Sequence, residues 1–312
     1  MAPGRVSQTW RSPLVRTVQE AGLLEVLAAD AAEFEATSAR QPLTARLKDR
    51  SVQARLLFVA AVVAIQARLV ARACGALAWP HAVAAVLAGA YVGDFISGIG
   101  HMVLDFIELA VVPAQERPLG QYLAFGFQYH HVRPSNWHFQ DLLTVGILKT
   151  GLILYVHCCA VHVLARLAFQ SAAFDLCWVV VSWHLLLCQV FHAAAHGAFK
   201  QTALAKVFAF LQRAGLCLGP QAHQLHHSNF DCNFCIVNGW ANGLLNVLFT
   251  NVFAHLVSAR MAPHVQRQVY CASGRIRFPY FEMFPALRRV AGTRKRSASP
   301  PPRRPGAAAT SM

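Results

Sequence analysis

Four apolar runs constrain this chain more than any other feature, at 54–73, 81–104, 142–164 and 174–195. Each is close to the roughly 20 residues that a helix needs to cross the hydrocarbon core of a bilayer. Backbone polar groups find no water there, so a crossing segment must satisfy them internally, as an α-helix does. The expected fold is therefore an all-α membrane protein with about four transmembrane helices. Composition agrees. The chain of 312 residues is 55% hydrophobic and 13% charged, against roughly 25% charged in soluble domains.

The rest of the chain divides around those runs. Residues 1–53 are expected to be a polar region in which 19–35 forms a short amphipathic helix. Residues 54–291 form one membrane domain, and the basic, Pro-rich stretch 292–312 has too little to bury and is expected to be disordered. The net charge is +14, with Arg288, Arg289, Arg294, Lys295, Arg296, Arg303 and Arg304 clustered near the end. Such an excess fits anionic lipid headgroups or the cytosolic side of a membrane and, given the apolar bulk, argues against a nucleic-acid partner. Nine cysteines, scattered and odd in number, do not suggest a secreted disulfide framework. Acidic residues such as Glu20, Glu25 and Asp30 disfavour an organellar transit peptide, and no signal-peptide pattern precedes the first run.

Four crossings bring both ends of the chain to one side of the membrane. Lys and Arg concentrate in the segments on that side, which the positive-inside rule makes cytosolic. The same face receives nine histidines: His101, His130, His131, His138, His192, His196, His223, His226 and His227. Two later apolar stretches, 204–218 and 240–256, are short and amphipathic and are expected to be interfacial helices.

The spacing of these side chains points to a metal site. His101 and Asp105, and likewise His192 and His196, are four apart, so each pair shares one helix face and can aim at one ion. His223-Gln-Leu-His226-His227 combines offsets of three and four, so two of its rings can address one ion and the third its neighbour. His130, His131 and His138 are expected on a loop, because Pro134 prevents a continuous helix through it. Alone, any one of these histidines is more often an ordinary polar residue. Together at one face, buried imidazoles are expensive unless shared metal ligation satisfies several at once. A zinc site takes about four ligands, so this number fits two metals better than one.

Imidazole suits iron, zinc, copper or nickel, so the donor type leaves the metal open. Cys232 and Cys235 form no second pair and read as structural. The zinc-protease motif His-Glu-x-x-His and a Gly-rich phosphate loop with Lys are both absent, which removes support for peptide hydrolysis and nucleotide use. His157, His162 and His184 lie inside the runs and read as helix-packing residues rather than haem ligands. Asp94, well inside the second run, is costly there without a partner and is a functional candidate.

The ordered set Asp94-Phe-Ile-Ser-Gly-Ile-Gly-His101, His130-His131, His192-x-x-x-His196, His223-x-x-His226-His227 and Cys235-Ile-Val-Asn-Gly-Trp240-Ala-Asn242 resembles the Kua/CarF lipid desaturase family. That family includes plasmanylethanolamine desaturase and the plastid phosphatidylglycerol palmitate trans-desaturase. The resemblance implies a membrane oxidase with two iron ions, dioxygen as co-substrate, a membrane phospholipid substrate and an external electron donor, cytochrome b5-like or ferredoxin. It implies an endoplasmic reticulum or plastid membrane. Its histidine pattern falls on His101, His130, His131, His192, His196, His223, His226 and His227, with His138 matching less closely. Asp105 is expected to ligate or to orient a ligand. Asp94, about 10 Å from His101 along a helix, is expected to orient another ligand through a hydrogen bond. No catalytic group beyond the metal site is expected. Ser228-Asn-Phe-Asp-Cys-Asn233 lacks a histidine that the plasmalogen enzymes carry, so vinyl-ether formation and acyl-chain desaturation both stay open. A different class, a non-catalytic membrane protein that binds or transports haem or metal, remains the alternative.

Overall fold

The computed structural model describes residues 45, 47–106, 119–132, 142–229 and 232–253, and among them helices alternate with turns and loops, without a strand. Helices α1 (Arg50–Ala76) and α2 (Trp79–Asp105) come first, then α3 (Leu119–Val132). A π-helical segment, Leu142–Gly151, leads into α4 (Leu152–Arg166), and α5 is Ala172–Ala195. The shorter α6 (Ala205–Arg213), α7 (Pro220–Asn229) and α8 (Asn242–Leu248) follow, and α8 runs into a π-helical turn, Phe249–Phe253. Four helical stretches are long and apolar enough to cross a membrane: Arg50–Ala76, Trp79–Asp105, Gly146–Arg166 and Ala172–Ala195. The chain is an integral, multi-pass membrane protein.

All four apolar runs of the sequence thus become spans, with ends set by local chemistry. Asp49 caps α1, its carboxylate accepting the Ser51 N–H at 2.7 Å. Ser171 caps α5 by accepting from the Phe174 N–H, and Pro80 sits in the first turn of α2, where a missing N–H costs nothing. These signals lengthen the helices by a few residues beyond their apolar runs.

Helices α2 and α5 form the central pair. Gly89 and Gly93 lie four apart on α2, and a Cβ on Gly93 would stand 2.7 Å from the His184 Cβ. One on Gly89 would run into the Cys177 carbonyl. Lipid tails are as apolar as leucine, so helices in a membrane associate by close backbone approach, and small residues four apart permit it. Helix α1 is peripheral, with Leu57, Phe58 and Ile65 facing outward. It is tied to the bundle by polar contacts: the Tyr155 hydroxyl donates to Gln66 Oε1 at 2.8 Å, and Arg55 donates to the Leu148 carbonyl at 3.3 Å.

The intramembrane histidines have local partners. His157 bonds the Ile153 carbonyl at 2.7 Å and His184 the Val180 carbonyl at 2.8 Å. His162 lies 3.0 Å from the Asp175 carboxylate, which Arg166 also reaches at 3.0 Å. Helix packing accounts for all three.

Two expectations change. His130 and His131 belong to helix α3 rather than to a loop: the chain stays helical up to Val132, and Pro134 disfavours helix only at the residue just before it. The stretch 240–256 is not simply interfacial. Its described part turns back along α2, with Leu245 fully buried over Gly98 while Leu244 and Val247 stay exposed. Helix α6, in contrast, keeps the expected amphipathic character, with Val207 and Phe210 exposed. The helix expected at 19–35, the tail from 292, and His138 lie outside the described residues.

Candidate metal centre

Four helices deliver the site. The last two turns of α2 carry His101 and Asp105, the last turn of α3 carries His130 and His131, and α5 ends on His192 with His196 as its C-cap. Helix α7 supplies His223, His226 and His227. Nine of the ten candidate ligands singled out in the sequence meet here, and the tenth, His138, lies outside the described residues.

They separate into two groups, in each of which the donor atoms lie within 4.8 Å of one another. One holds His130, His192, His196, His223 and His227; the other holds His101, Asp105, His131 and His226. The His223-Gln-Leu-His226-His227 motif divides as its spacing suggests: the two rings four apart go to the first group, and His226 goes to the second.

The first group crowds around one atom. The Nε2 of His223 lies 2.9 Å from that of His192, 2.8 Å from that of His196 and 3.0 Å from that of His227. A ring nitrogen has one proton or one lone pair and cannot satisfy three such neighbours. The Nε2 of His130 is buried with no hydrogen-bond partner. A cation among these nitrogens would resolve both problems, and an all-imidazole set suits iron, zinc, copper or nickel.

The second group is built on a carboxylate. Asp105 lies 3.3 Å from His101 Nε2, 3.4 Å from His226 Nε2 and 3.6 Å from His131 Nε2. Two of these rings are held at their other nitrogen by backbone: His101 Nδ1 donates to the Phe234 carbonyl at 2.9 Å, and His226 Nδ1 donates to the Cys232 carbonyl at 2.8 Å. A carbonyl only accepts, so Nδ1 carries the proton and Nε2 keeps its lone pair for the centre. His130 Nδ1 is held in the same way by the Phe127 carbonyl of its own helix. The donor set therefore fits a resident metal pair.

Burial keeps five rings outside the spans neutral: His130, His131, His196, His223 and His227. It holds His130, His131 and His223 well below the usual histidine range, and neighbouring imidazoles push the same way. His196 is brought down to about 4 and His227 to about 2, again by burial first and by the facing His226 second. Neutral imidazole is the form that ligates metal. Cys235 is buried and its thiol is pushed far up. Among the described residues no cysteine joins either group.

Asp94 departs from its expected role. Its hydrogen bonds go to backbone N–H groups rather than to an imidazole: Val237, Asn238 and Gly239 donate to Oδ1, and Ala241 donates to Oδ2. It lies too far down α2 to reach a ring at the helix end. The carbonyls of Cys232 and Phe234 were not legible as site groups, because every residue has a carbonyl and only the fold aims two of them at histidines.

The fold and site define a multi-pass helical membrane protein with a histidine-rich, two-group centre at one end of its bundle. A family model described as the lipid desaturase domain matches residues 90–261, more than half of the chain and the whole of both groups. The chain belongs to that family, the Kua/CarF-type lipid desaturases, and its function is of the lipid desaturase type. No curated protein and no solved structure matches it.

Proposed function

We propose that the protein is an oxygen-dependent desaturase that holds two iron ions, one in each group, and introduces a double bond into a membrane lipid chain. The observation that carries this reading is the division of nine donors into two adjacent sets, five imidazoles beside three imidazoles and a carboxylate. Removing hydrogen from an unactivated C–H bond is beyond side-chain acids and bases, and iron with dioxygen supplies that oxidising chemistry. Overall, two hydrogens leave adjacent carbons and dioxygen becomes two waters, with two electrons from a cytochrome b5-like or ferredoxin donor and two protons from solvent.

The protein's own part is to hold, shield and orient. The Nδ1 bonds to the Phe127, Cys232 and Phe234 carbonyls fix three rings with Nε2 inward. Asp105 brings negative charge to a buried cation site, where an unpaired charge is expensive. Phe234 packs edge-on to His101, and Phe106, Phe249 and Phe253 continue the aromatic cluster around it, keeping water from the carboxylate group. Within this proposal the centre faces the cytosol, in the endoplasmic reticulum or alternatively a plastid membrane, and the substrate is a phospholipid already in the bilayer. The non-catalytic haem or transport alternative drew on His157, His162 and His184, and the local partners of those rings favour the enzyme.

The test is lipid analysis of cells with the intact protein, without it, and with a His226→Ala variant at equal abundance. A new vinyl ether or acyl double bond made only by the intact protein is expected and identifies which reaction occurs. Identical lipids in all three would overturn the proposal.

A further inference from the structure

Asp94 is fully buried in α2, seven residues before His101 and so about 10 Å further down the helix. The chain that packs against it, 232–241, has no regular helix or strand. Irregular backbone at such depth survives only where protein satisfies its polar groups. Here side chains do so. Oδ1 of Asp94 accepts from Val237 at 3.3 Å, Asn238 at 2.9 Å and Gly239 at 3.2 Å, and Oδ2 accepts from Ala241 at 3.0 Å. Asn242 Oδ1 takes the Cys235 N–H at 2.9 Å, and Asn246 Oδ1 takes the Asn233 N–H at 2.8 Å. Gly98 leaves room for this close approach: a Cβ there would stand 3.0 Å from Cys235 Sγ.

The same segment contributes the two carbonyls, of Cys232 and Phe234, that hold His226 and His101. Both histidines belong to the carboxylate group. In the five-histidine group, His130 takes its carbonyl from its own helix instead.

We propose that Asp94 and the 232–241 loop form a positioning device for one half of the centre. Asp94 fixes the loop against α2, and the loop's carbonyls then fix the tautomer and rotation of His101 and His226. Asp94 acts through the loop and touches no reacting group. This rests on the two-cation reading above and adds that the two halves are supported by different parts of the chain.

The test is titration of metal-depleted full-length protein with cobalt(II), read by visible absorption. The wild-type protein is expected to fill in two phases, and His226→Ala identifies the phase that belongs to the carboxylate group by removing it. Asp94→Asn keeps the shape but places an NH2 against the Ala241 N–H and deletes the charge. It should weaken that phase by about 10- to 100-fold, as loss of groups that orient ligands commonly does, and leave the other phase unchanged. Asn242→Ala unties the Cys235 N–H without altering α2 and should weaken the same phase by less; if Asp94→Asn does not accumulate, this variant decides. Equal weakening of both phases, or no weakening, overturns the positioning role alone. A wild-type protein that takes up cobalt in one phase or none overturns the two-cation reading itself, and the positioning role with it.

Discussion

The two halves of the centre are unlike in access and in reserve. Asp105, His226, His101 and His131 are all buried, and the group has four donors, one of them charged. The five-histidine group has one more donor, and two of its rings, His196 and His227, are only half-buried. A sealed set with no spare ligand should be intolerant of any loss. An open set with a spare should bend before it breaks.

The largest effect should therefore come from the sealed group. His226→Ala leaves it two imidazoles and a carboxylate, and activity is expected to fall by more than about a hundredfold, beyond the range for loss of ligand-orienting groups. Elemental analysis should show about half the wild-type metal per chain. His157→Ala, which removes only a ring bonded to the Ile153 carbonyl, is the paired control and should stay near wild type. His227→Ala leaves the open group four imidazoles, so the loss should be about tenfold to a hundredfold with metal content largely kept. If His227→Ala proved as damaging as His226→Ala, the contrast between the groups would be wrong.

A smaller effect sharpens the contrast from the packing side. Gly93→Val forces a methyl-bearing Cβ onto His184, and overpacking of this kind costs about 1–3 kcal/mol. Both groups use side chains from α2 or α5, so thermal unfolding in detergent should come earlier without selective loss of either metal. The last test is of pH. In the metal-free protein burial brings His196 down from its ordinary 6.5 to about 4. Between those values the unfolded chain binds the proton and the folded chain does not, so stability falls as pH drops from 6.5 toward 4. His130, His131, His223 and His227 push the same way, so metal-free protein that kept its unfolding temperature across that window would show that these rings are not held neutral by burial.

Much of this was legible in the sequence for a definite reason. Transmembrane helices are written in local composition, since a bilayer demands a long apolar run wherever the chain crosses. Side chains three and four apart share a helix face by geometry alone, so the pairing of His101 with Asp105 and of His192 with His196, and a two-and-one division of His223, His226 and His227, followed from spacing, while the structure decided that His226 is the ring that splits off. The tertiary structure decided what spacing cannot encode. It placed His130 and His131 on a helix and divided nine donors into one closed and one open group. It also turned Asp94 from a direct partner of a ligand into the anchor of a loop more than 140 residues further along the chain. Those outcomes depend on which backbone carbonyls and N–H groups the folded chain brings beside a given side chain, and backbone groups are the same at nearly every residue.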